Sequence, residues 1–181
     1  GSILDDFLYG QDGDDTIAGG LSGHDHLFGG RGRDLLIGGA GITQMHGGAG
    51  ADIFVAHPRG QTIIADFDPG QGDRLVINEA NLSAAQLRAG AQAVHRDRAG
   101  PPDLRLTLAS GGEIVMAGMG ERIEEVITAL LPAKGVVAPA AAAPRHLLLQ
   151  GRPGTDILTG GDGNDTIHGD PDGATGDDRL F

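Results

Sequence analysis

The feature that most constrains the fold of this chain is a repeat with a period of nine residues. Residues 29–37 read GGRGRDLLI and residues 47–55 read GGAGADIFV. Both segments carry glycine at the first, second and fourth positions, aspartate at the sixth and a large apolar residue at the eighth. A short fixed period is typical of solenoids, in which each repeat buries its apolar side chain against its neighbours. The sequence therefore predicts a stack of similar turns.

The period forms one array at the start of the chain, residues 1–55, and a second at its end, residues 151–181. Within the first array Gln11 replaces a glycine, residues 19–28 contain one inserted residue, and Thr43 stands where aspartate is expected. The eighth positions hold only apolar residues: Leu8, Ile17, Leu27, Leu36, Met45, Phe54, Leu158, Ile167 and Leu180. We expect these side chains to form the inward-facing core of the stack.

Each nonapeptide reads as a six-residue turn followed by a three-residue strand whose central side chain points inward. Glycine allows the turn to adopt positive φ and brings backbone carbonyl groups close together. Calcium takes roughly six to eight oxygen ligands, which carbonyl groups and a carboxylate can supply together. The turns are therefore predicted to bind calcium ions.

The distribution of charge separates the two arrays from the residues between them. The chain has a formal net charge of −12, and the first array carries eight Asp against two Arg. The second array carries seven Asp against two Arg, whereas residues 56–150 balance ten acidic against nine basic residues. This balance excludes nucleic acid and anionic membrane surfaces as partners and favours cations. The chain has no Cys, which excludes thiolate metal sites, and no apolar stretch long enough to span a membrane.

The nonapeptides quoted above resemble those of the RTX, or hemolysin-type calcium-binding, repeat family. The resemblance implies a mainly β fold, a parallel β-roll in which successive repeats alternate sides. Each calcium ion would then lie between turns two repeats apart. The family also implies a secreted, extracellular bacterial protein that leaves the cell through the type I secretion machinery. The first and last residues fall inside repeats, so we expect this chain to be part of a longer parent.

The carboxylates expected to bind calcium are those at the sixth positions: Asp6, Asp15, Asp25, Asp34, Asp52, Asp156, Asp165 and Asp178. In the second array, the alternation places Asp156 and Asp178 on one side and Asp165 on the other. Other aspartates lie off the sixth position and are interpreted as solvated turn residues: Asp12, Asp14, Asp162, Asp170, Asp172 and Asp177. The alternative is that aspartate and glycine occur here only because both favour turns.

The alternation makes the two sides of the first array unequal. On one side Asp15, Asp34 and Asp52 stack and should hold two ions. On the other side Thr43 stands in the stack begun by the remaining two aspartates. Since threonine removes one carboxylate, we expect its site to be weak or empty.

Residues 56–135 are predicted to cap the first array with strands and two short helices. Residues 62–77 resemble the strand-turn-strand segment that follows RTX arrays in secreted metalloproteases and alginate epimerase modules. Such a segment covers the open strand edges at the end of a roll. Within it, three aspartates either complete a terminal calcium site or have capping and turn roles: Asp66, Asp68 and Asp73.

The remaining elements follow from periodicity. Residues 81–94 predict a helix capped by Asn81 or Ser83, and residues 121–131 predict a second helix. The alternating residues 104–116 predict a hairpin. A Pro- and Ala-rich linker at 136–150 then leads to the second array, which is short and either depends on further residues or docks against the first.

The sequence contains none of the short motifs that mark zinc proteases, serine hydrolases or phosphate-binding loops. The sequence therefore predicts a chain that is not an enzyme but a calcium-binding module that folds outside the cell. Two alternatives stay open: a non-catalytic accessory domain of a secreted protease, lipase or epimerase, and an adhesive module for a glycan or protein. His24 and His26 form either a transition-metal site or, more simply, surface histidines in a turn. The Asp68-Pro69 and Asp170-Pro171 bonds are sites either of calcium-triggered self-cleavage or of ordinary turns.

Overall fold

The computed structural model describes residues 4–79, 82–95, 100–131, 148–150, 166–168 and 178–179. The chain winds from one parallel sheet to the other and back. Its first eight strands alternate between the two sheets: β1 Asp6–Asp12, β2 Thr16–Ala18, β3 His24–Arg31, β4 Leu35–Ile37, β5 Ile42–Ala49, β6 Ile53–Ala56, β7 Gln61–Ile64 and β8 Arg74–Ile77. The predicted fold, a mainly β parallel roll, is confirmed.

The later strands extend both sheets: β9 Ala91–Val94, β10 Asp103–Thr107, β11 Glu113–Met116, β12 Leu130–Leu131, β13 Leu148–Gln150, β14 Thr166–His168 and β15 Asp178–Arg179. Two helices lie among them in the sequence: α1 Ala84–Gly90 and α2 Ile123–Thr128. The first sheet runs in the order β15, β1, β3, β5, β7, β11, β10, β9, and the second in the order β12, β8, β6, β4, β2, β14, β13. Strand β10 is antiparallel to both β9 and β11, and the other pairs are parallel.

The register of the parallel strands brings every second eighth position together. In the first sheet Leu8 pairs with Leu27, and Leu27 pairs with Met45. In the second sheet Ile17 pairs with Leu36 in the same way. All of these side chains are fully buried. The core is therefore a double row of aliphatic side chains between the sheets, as the period predicts.

Strand length differs between the sheets. Strands of the second sheet from the arrays have the predicted short length, but β1, β3 and β5 contain seven or eight residues. They are longer because the first three residues of the next repeat stay extended and keep pairing, as Gly30 does with Gly48. In the first sheet the turn is correspondingly shorter than the six residues predicted.

The second array docks against the first. Strand β14 pairs with β2 and strand β15 pairs with β1, so the C-terminal strands extend both sheets beyond the first repeat. The docking alternative of the sequence analysis therefore describes this structure. Most of the predicted linker lies outside the described residues, but residues 148–150, assigned to it, form β13 and pair with β14.

Both predicted helices are shorter than expected. Helix α1 begins after Ser83, whose hydroxyl group accepts the Gln86 N–H at 3.2 Å while the Gln86 side chain accepts the Ser83 N–H at 2.9 Å. The chain then turns into β9, which pairs with β10, and after α2 it forms β12, which pairs with β8. In both places the chain pairs with an open strand edge and does not form another helical turn. The predicted hairpin is confirmed by the pairing of β10 with β11.

Candidate metal centres in the turns

One row of sixth-position side chains links successive turns on one side of the roll. The Asp15 N–H donates to Asp34 Oδ1 at 2.8 Å, and the Asp34 N–H donates to Asp52 Oδ1 at 2.9 Å. The Asp52 N–H continues the series to Asp73 Oδ1 at 3.0 Å. All four side chains are buried. We call these residues the Asp row.

The second oxygen of the central carboxylates lacks any hydrogen-bond partner. Oδ2 of Asp34 and Oδ2 of Asp52 are both buried without a donor. The pKa of Asp34 is raised to about 8, mainly by burial; the hydrogen bond from the Asp15 N–H lowers it, and the neighbouring carboxylates of Asp52 and Asp15 add to the rise. Burial likewise raises the pKa of Asp52 to about 6. An ionised carboxylate in this position requires a compensating positive charge.

The first glycine of each repeat makes room for this carboxylate. A Cβ atom on Gly29 would collide with Asp34 Oδ2 and would lie 2.6 Å from the carbonyl oxygen of Gly47. A Cβ atom on Gly47 would collide with Asp52 Oδ2. The carboxylate therefore lies directly against the backbone of its own turn.

The later glycines bring backbone carbonyl oxygens into the same turns. Gly30 and Gly32 have φ angles of 118° and 138°, which only glycine adopts readily. A Cβ atom on Gly30 would collide with the carbonyl oxygen of Gln11, and one on Gly32 with that of Gly13. Stacked turns thus bring the carbonyl oxygens of one turn close to the glycines of the next.

This donor set consists of oxygen alone, which suits a hard cation such as calcium. Within the described part of the chain, no three His, Asp or Glu side chains group together to hold a metal by themselves. A metal bound in these turns would therefore depend on backbone oxygens as well as on the carboxylates of Asp34 and Asp52. The unpartnered buried oxygens and the glycine-lined space both fit calcium.

On the other side of the roll, a second row of sixth-position side chains changes from aspartate to threonine along the stack. The Asp6 N–H donates to Asp25 Oδ1 at 3.2 Å, and the register continues from Asp25 to Thr43 and then to Thr62. All four side chains are buried, and we call them the mixed row. Asp25 Oδ2 has no hydrogen-bond partner, and burial raises the pKa of this residue to about 8.

Threonine fills the same position without charge. The Gly39 N–H donates to Thr43 Oγ1 at 3.3 Å, so this hydroxyl group already has a donor from the protein. Thr43 offers one oxygen where Asp25 offers two. That difference is the structural basis for expecting a weak or empty site there, and the expectation stays a prediction.

The sixth positions of the second array are only partly described. Asp178 is in register with Asp6, which places it at the end of the mixed row. Asp156 and Asp165 lie outside the described residues.

A comparison with family profiles decides the relationship. The profile of the RTX calcium-binding nonapeptide repeat matches four times, at residues 1–21, 9–45, 20–54 and 148–173. The chain belongs to the RTX repeat family. Its fold is similar to the solution structure of the AlgE6R3 subunit from the Azotobacter vinelandii mannuronan C5-epimerase, with 30% sequence identity and a TM-score of 0.52. The similarity covers 87% of this chain and 94% of that chain. A search of curated proteins finds no match.

The aspartates after the RTX array act mainly as hydrogen-bond acceptors at its end. Asp66 accepts the Gly47 N–H at 3.0 Å and the Gly48 N–H at 2.9 Å, one on each oxygen. Asp73 Oδ2 accepts the Asp68 N–H at 2.8 Å, in addition to the bond that Oδ1 accepts in the Asp row. Between the two alternatives of the sequence analysis, these bonds favour the capping role.

Sequence reasoning missed that Asp73 belongs to the Asp row. It lies 21 residues after Asp52, whereas Asp34 lies 18 residues before Asp52. A usable signal was present, because Asp73-Arg74-Leu75 repeats the order of an aspartate, any residue and an inward apolar residue found at the end of each nonapeptide. The loop after Asp66 interrupts the repeat spacing, so Asp73 does not fall at an expected sixth position.

Among the aspartates predicted to be solvated turn residues, Asp12 is solvated but ends strand β1, and Asp14 lies in a turn but is only partly exposed. Asp12 is exposed and lies 3.5 Å from the Arg31 guanidinium group. Asp14 Oδ1 instead accepts the Arg33 N–H at 2.7 Å, which ties one turn to the next. The other four residues of that prediction lie outside the described part of the chain.

His24 and His26 lie in strand β3 and not, as predicted, in a turn. His26 of β3 stacks on Phe7 with ring centroids 4.4 Å apart, and His46 of β5 stacks on Phe28 at 5.0 Å. Phe28 also stacks on Tyr9 at 4.5 Å. Because stacked rings face each other, each pair uses one face of each ring within the protein, and Phe28 uses both.

No helix within the described residues has the length and apolar character needed to cross a membrane.

Proposed function

We propose that this RTX chain is a calcium-binding module that folds when calcium binds outside the cell. The observation that carries the proposal is the Asp row, in which buried carboxylates follow one another through successive turns. Oδ1 of each acceptor is used by a backbone N–H, while Oδ2 of Asp34 and Asp52 has no donor. Each of these two carboxylates therefore has one structural oxygen and one oxygen suited to a cation.

The same residues explain why folding requires the ion. Without a cation, the carboxylates of the Asp row repel one another and lose their hydration. The core that must offset this cost, and the entropy of ordering the chain, has only 3% aromatic residues and no Trp. Bound calcium would supply the positive charge that compensates the buried carboxylates.

The calcium concentration outside the cell then determines when the module folds. Extracellular calcium modules have dissociation constants of about 0.1 to 1 mM. Such a chain stays loosely structured in a cytosol with little free calcium and becomes compact after export. Family membership supports secretion through a type I system, for which an unfolded chain is a suitable substrate.

A second candidate function is that of a non-catalytic accessory domain in a secreted enzyme. The observation that favours it is the similarity to a subunit of a mannuronan C5-epimerase over most of both chains. An assay of this chain alone with a polymannuronate substrate should show no turnover, and measurable epimerisation would overturn the non-catalytic assignment.

Circular dichroism during a calcium titration tests the main proposal. We expect low strand content in chelator and a cooperative gain as calcium reaches the millimolar range. The test variant is Asp34→Asn, which keeps the side-chain oxygen that accepts the Asp15 N–H but removes the charge. Its calcium midpoint should rise by about tenfold or more, equivalent to about 1.4 kcal/mol.

The matched control is Asp12→Asn, which removes a charge from an exposed aspartate. Its midpoint should stay within about twofold of the parent, since exposed ion pairs contribute little. Equal strand content in chelator and in millimolar calcium would refute the proposal. So would an equal shift in the two variants, because the effect would then come from net charge alone.

A further inference from the structure

The two ends of the described chain meet at one edge of the roll. Strand β15 pairs with β1, with Asp178 opposite Asp6, and strand β14 pairs with β2, with Thr166 opposite Thr16. The two contacts occur in different sheets, and both continue the parallel order of the first array. The C-terminal repeats therefore occupy the place that an additional N-terminal repeat would take.

This edge requires an occupant. Without β14 and β15, strands β1 and β2 would each present a row of backbone groups with no partner. Such edges are usually blocked by charged side chains, proline or a bulge, or are covered by another element. Strand β2 reads TIA and carries none of these blocking residues. Pairing with another repeat is thus the protection that the fold provides.

The length of the chain makes its own C-terminal part the natural occupant. Strands β12 and β13 lie at opposite edges of the second sheet, six strand-to-strand steps apart, which is about 29 Å. Sixteen residues separate Leu131 from Leu148, and a segment of that length can reach about 55 Å when extended. A tether of this kind gives an effective concentration of about millimolar, so at micromolar protein the attached segment outcompetes a second copy.

The register at the joint also brings together carboxylate-bearing residues from distant parts of the sequence. Asp178 adjoins Asp6, and next in the row is Asp25, whose Oδ2 is buried without a partner. Like charges on neighbouring strands destabilise their pairing unless a cation compensates them. We propose that the joint of strands β14 and β15 with strands β2 and β1 is a calcium-dependent clasp that closes the second array onto the first. This inference rests on the proposed calcium function.

Disulfide formation across the joint tests the clasp. The chain has no Cys, so a Thr16→Cys/Thr166→Cys double variant contains one defined pair. These residues are register partners, and neighbouring strands lie about 4.8 Å apart, within the Cα separation that a disulfide requires. In saturating calcium under oxidising conditions, we expect an intramolecular disulfide to form at least about tenfold faster than a dimer at micromolar protein.

The decisive comparison adds Asp178→Asn or Asp177→Asn to the cysteine pair, both measured in saturating calcium. Asp178→Asn should slow the intramolecular disulfide by about tenfold, whereas Asp177→Asn, which removes the same charge at the preceding position of the sequence, should leave the rate within about twofold. Circular dichroism recorded on the same samples shows whether the first array is folded. The comparison therefore does not depend on unfolding in chelator.

Three results would overturn the clasp: no intramolecular disulfide in calcium, a dimer as the main product, or equal rates for the two variants. These failures can be distinguished from a failure of the proposed function. If calcium still induces strand content while the disulfide does not form, only the clasp is wrong. If calcium induces no strand content, the proposed function is wrong and the clasp falls with it.

Discussion

The Asp row and the mixed row occupy equivalent positions on opposite sides of one roll. Both consist of buried side chains at the sixth position of each turn, and both donate from the backbone of one turn to a side chain of the next. Along the Asp row a carboxylate follows a carboxylate as far as Asp73. Along the mixed row the series passes after Asp25 to Thr43 and Thr62.

The comparison separates two roles of the sixth position. At Thr43 the position is buried without a carboxylate, and the hydroxyl group accepts the Gly39 N–H of its own turn. Asp34 Oδ1 instead accepts the Asp15 N–H from the preceding turn of the stack, and Asp34 adds a second oxygen without a donor. Both rows therefore bury an oxygen at the sixth position, and under the proposed calcium function it is the second carboxylate oxygen that calls for a cation.

The largest change in stability is expected when the first glycine of a repeat in the Asp row is replaced by alanine. Gly29→Ala places a methyl group against Asp34 Oδ2 and 2.6 Å from the backbone oxygen of Gly47, neither of which can move easily. We expect the free energy of unfolding to fall by about 3 kcal/mol, the upper end of the cost of overpacking. Urea unfolding in saturating calcium measures it.

The control is the same substitution beside the mixed row. A methyl group on Gly38 would meet Met45 Cε at 2.8 Å and Thr43 Oγ1 at 3.3 Å. The methionine end is flexible, and alanine also reduces the entropy of the unfolded chain, so Gly38→Ala should cost about 1 kcal/mol or less. Equal losses for the two variants would mean that the carboxylate is not what makes the first glycine necessary.

A smaller effect is expected from converting the mixed row into an Asp row. Thr43→Asp introduces a buried carboxylate next to Asp25 and should destabilise the calcium-free chain by about 2 kcal/mol. In calcium the loss should be recovered, and calorimetry should detect about one additional bound ion. Thr43→Asn, of similar size but uncharged, should bind no additional ion. If Thr43→Asp binds no more calcium ions than the parent, the prediction is wrong, because charge would then not distinguish the two rows.

Much of this arrangement follows from the nine-residue period. The period predicts which apolar residues face inward. The alternation of sides, which the resemblance to the RTX family implies, adds which aspartates stack, as Asp15 and Asp34 do. The threonine at position 43 breaks the aspartate pattern, and so the sequence alone indicates which row has fewer carboxylates. The assignment of these side chains as calcium ligands stays a prediction.

The features that sequence reasoning missed depend on contacts between distant residues. Residues 91–94 and 130–131 have helical periodicity but form strands, because each meets an open sheet edge. Asp73 joins the Asp row across a loop that interrupts the period. Local patterns do not reveal which edges remain open, and so they could not choose between the alternatives for the second array.

The smallest expected effect is the dependence of the calcium-free roll on pH. Burial raises the pKa of Asp34 and of Asp25 from an ordinary value near 3.8 to about 8, and that of Asp52 to about 6. A carboxyl group with a raised pKa in the folded state binds more protons there than in the unfolded chain. Its stabilising effect is therefore fully present below the unfolded value and is lost as pH rises through the folded value.

In buffer freed of calcium by a chelating resin, circular dichroism should show more strand content near pH 5 than near pH 8.5. In saturating calcium the difference should shrink or reverse, because protons and calcium compete for the same carboxylates. Asp34→Asn should weaken the pH dependence, since it removes one of the titrating groups, whereas Thr43→Asn should leave it unchanged. If the calcium-free strand content instead rises with pH, the buried carboxylates do not oppose folding at neutral pH. The difference between the Asp row and the mixed row would then need a cause other than charge.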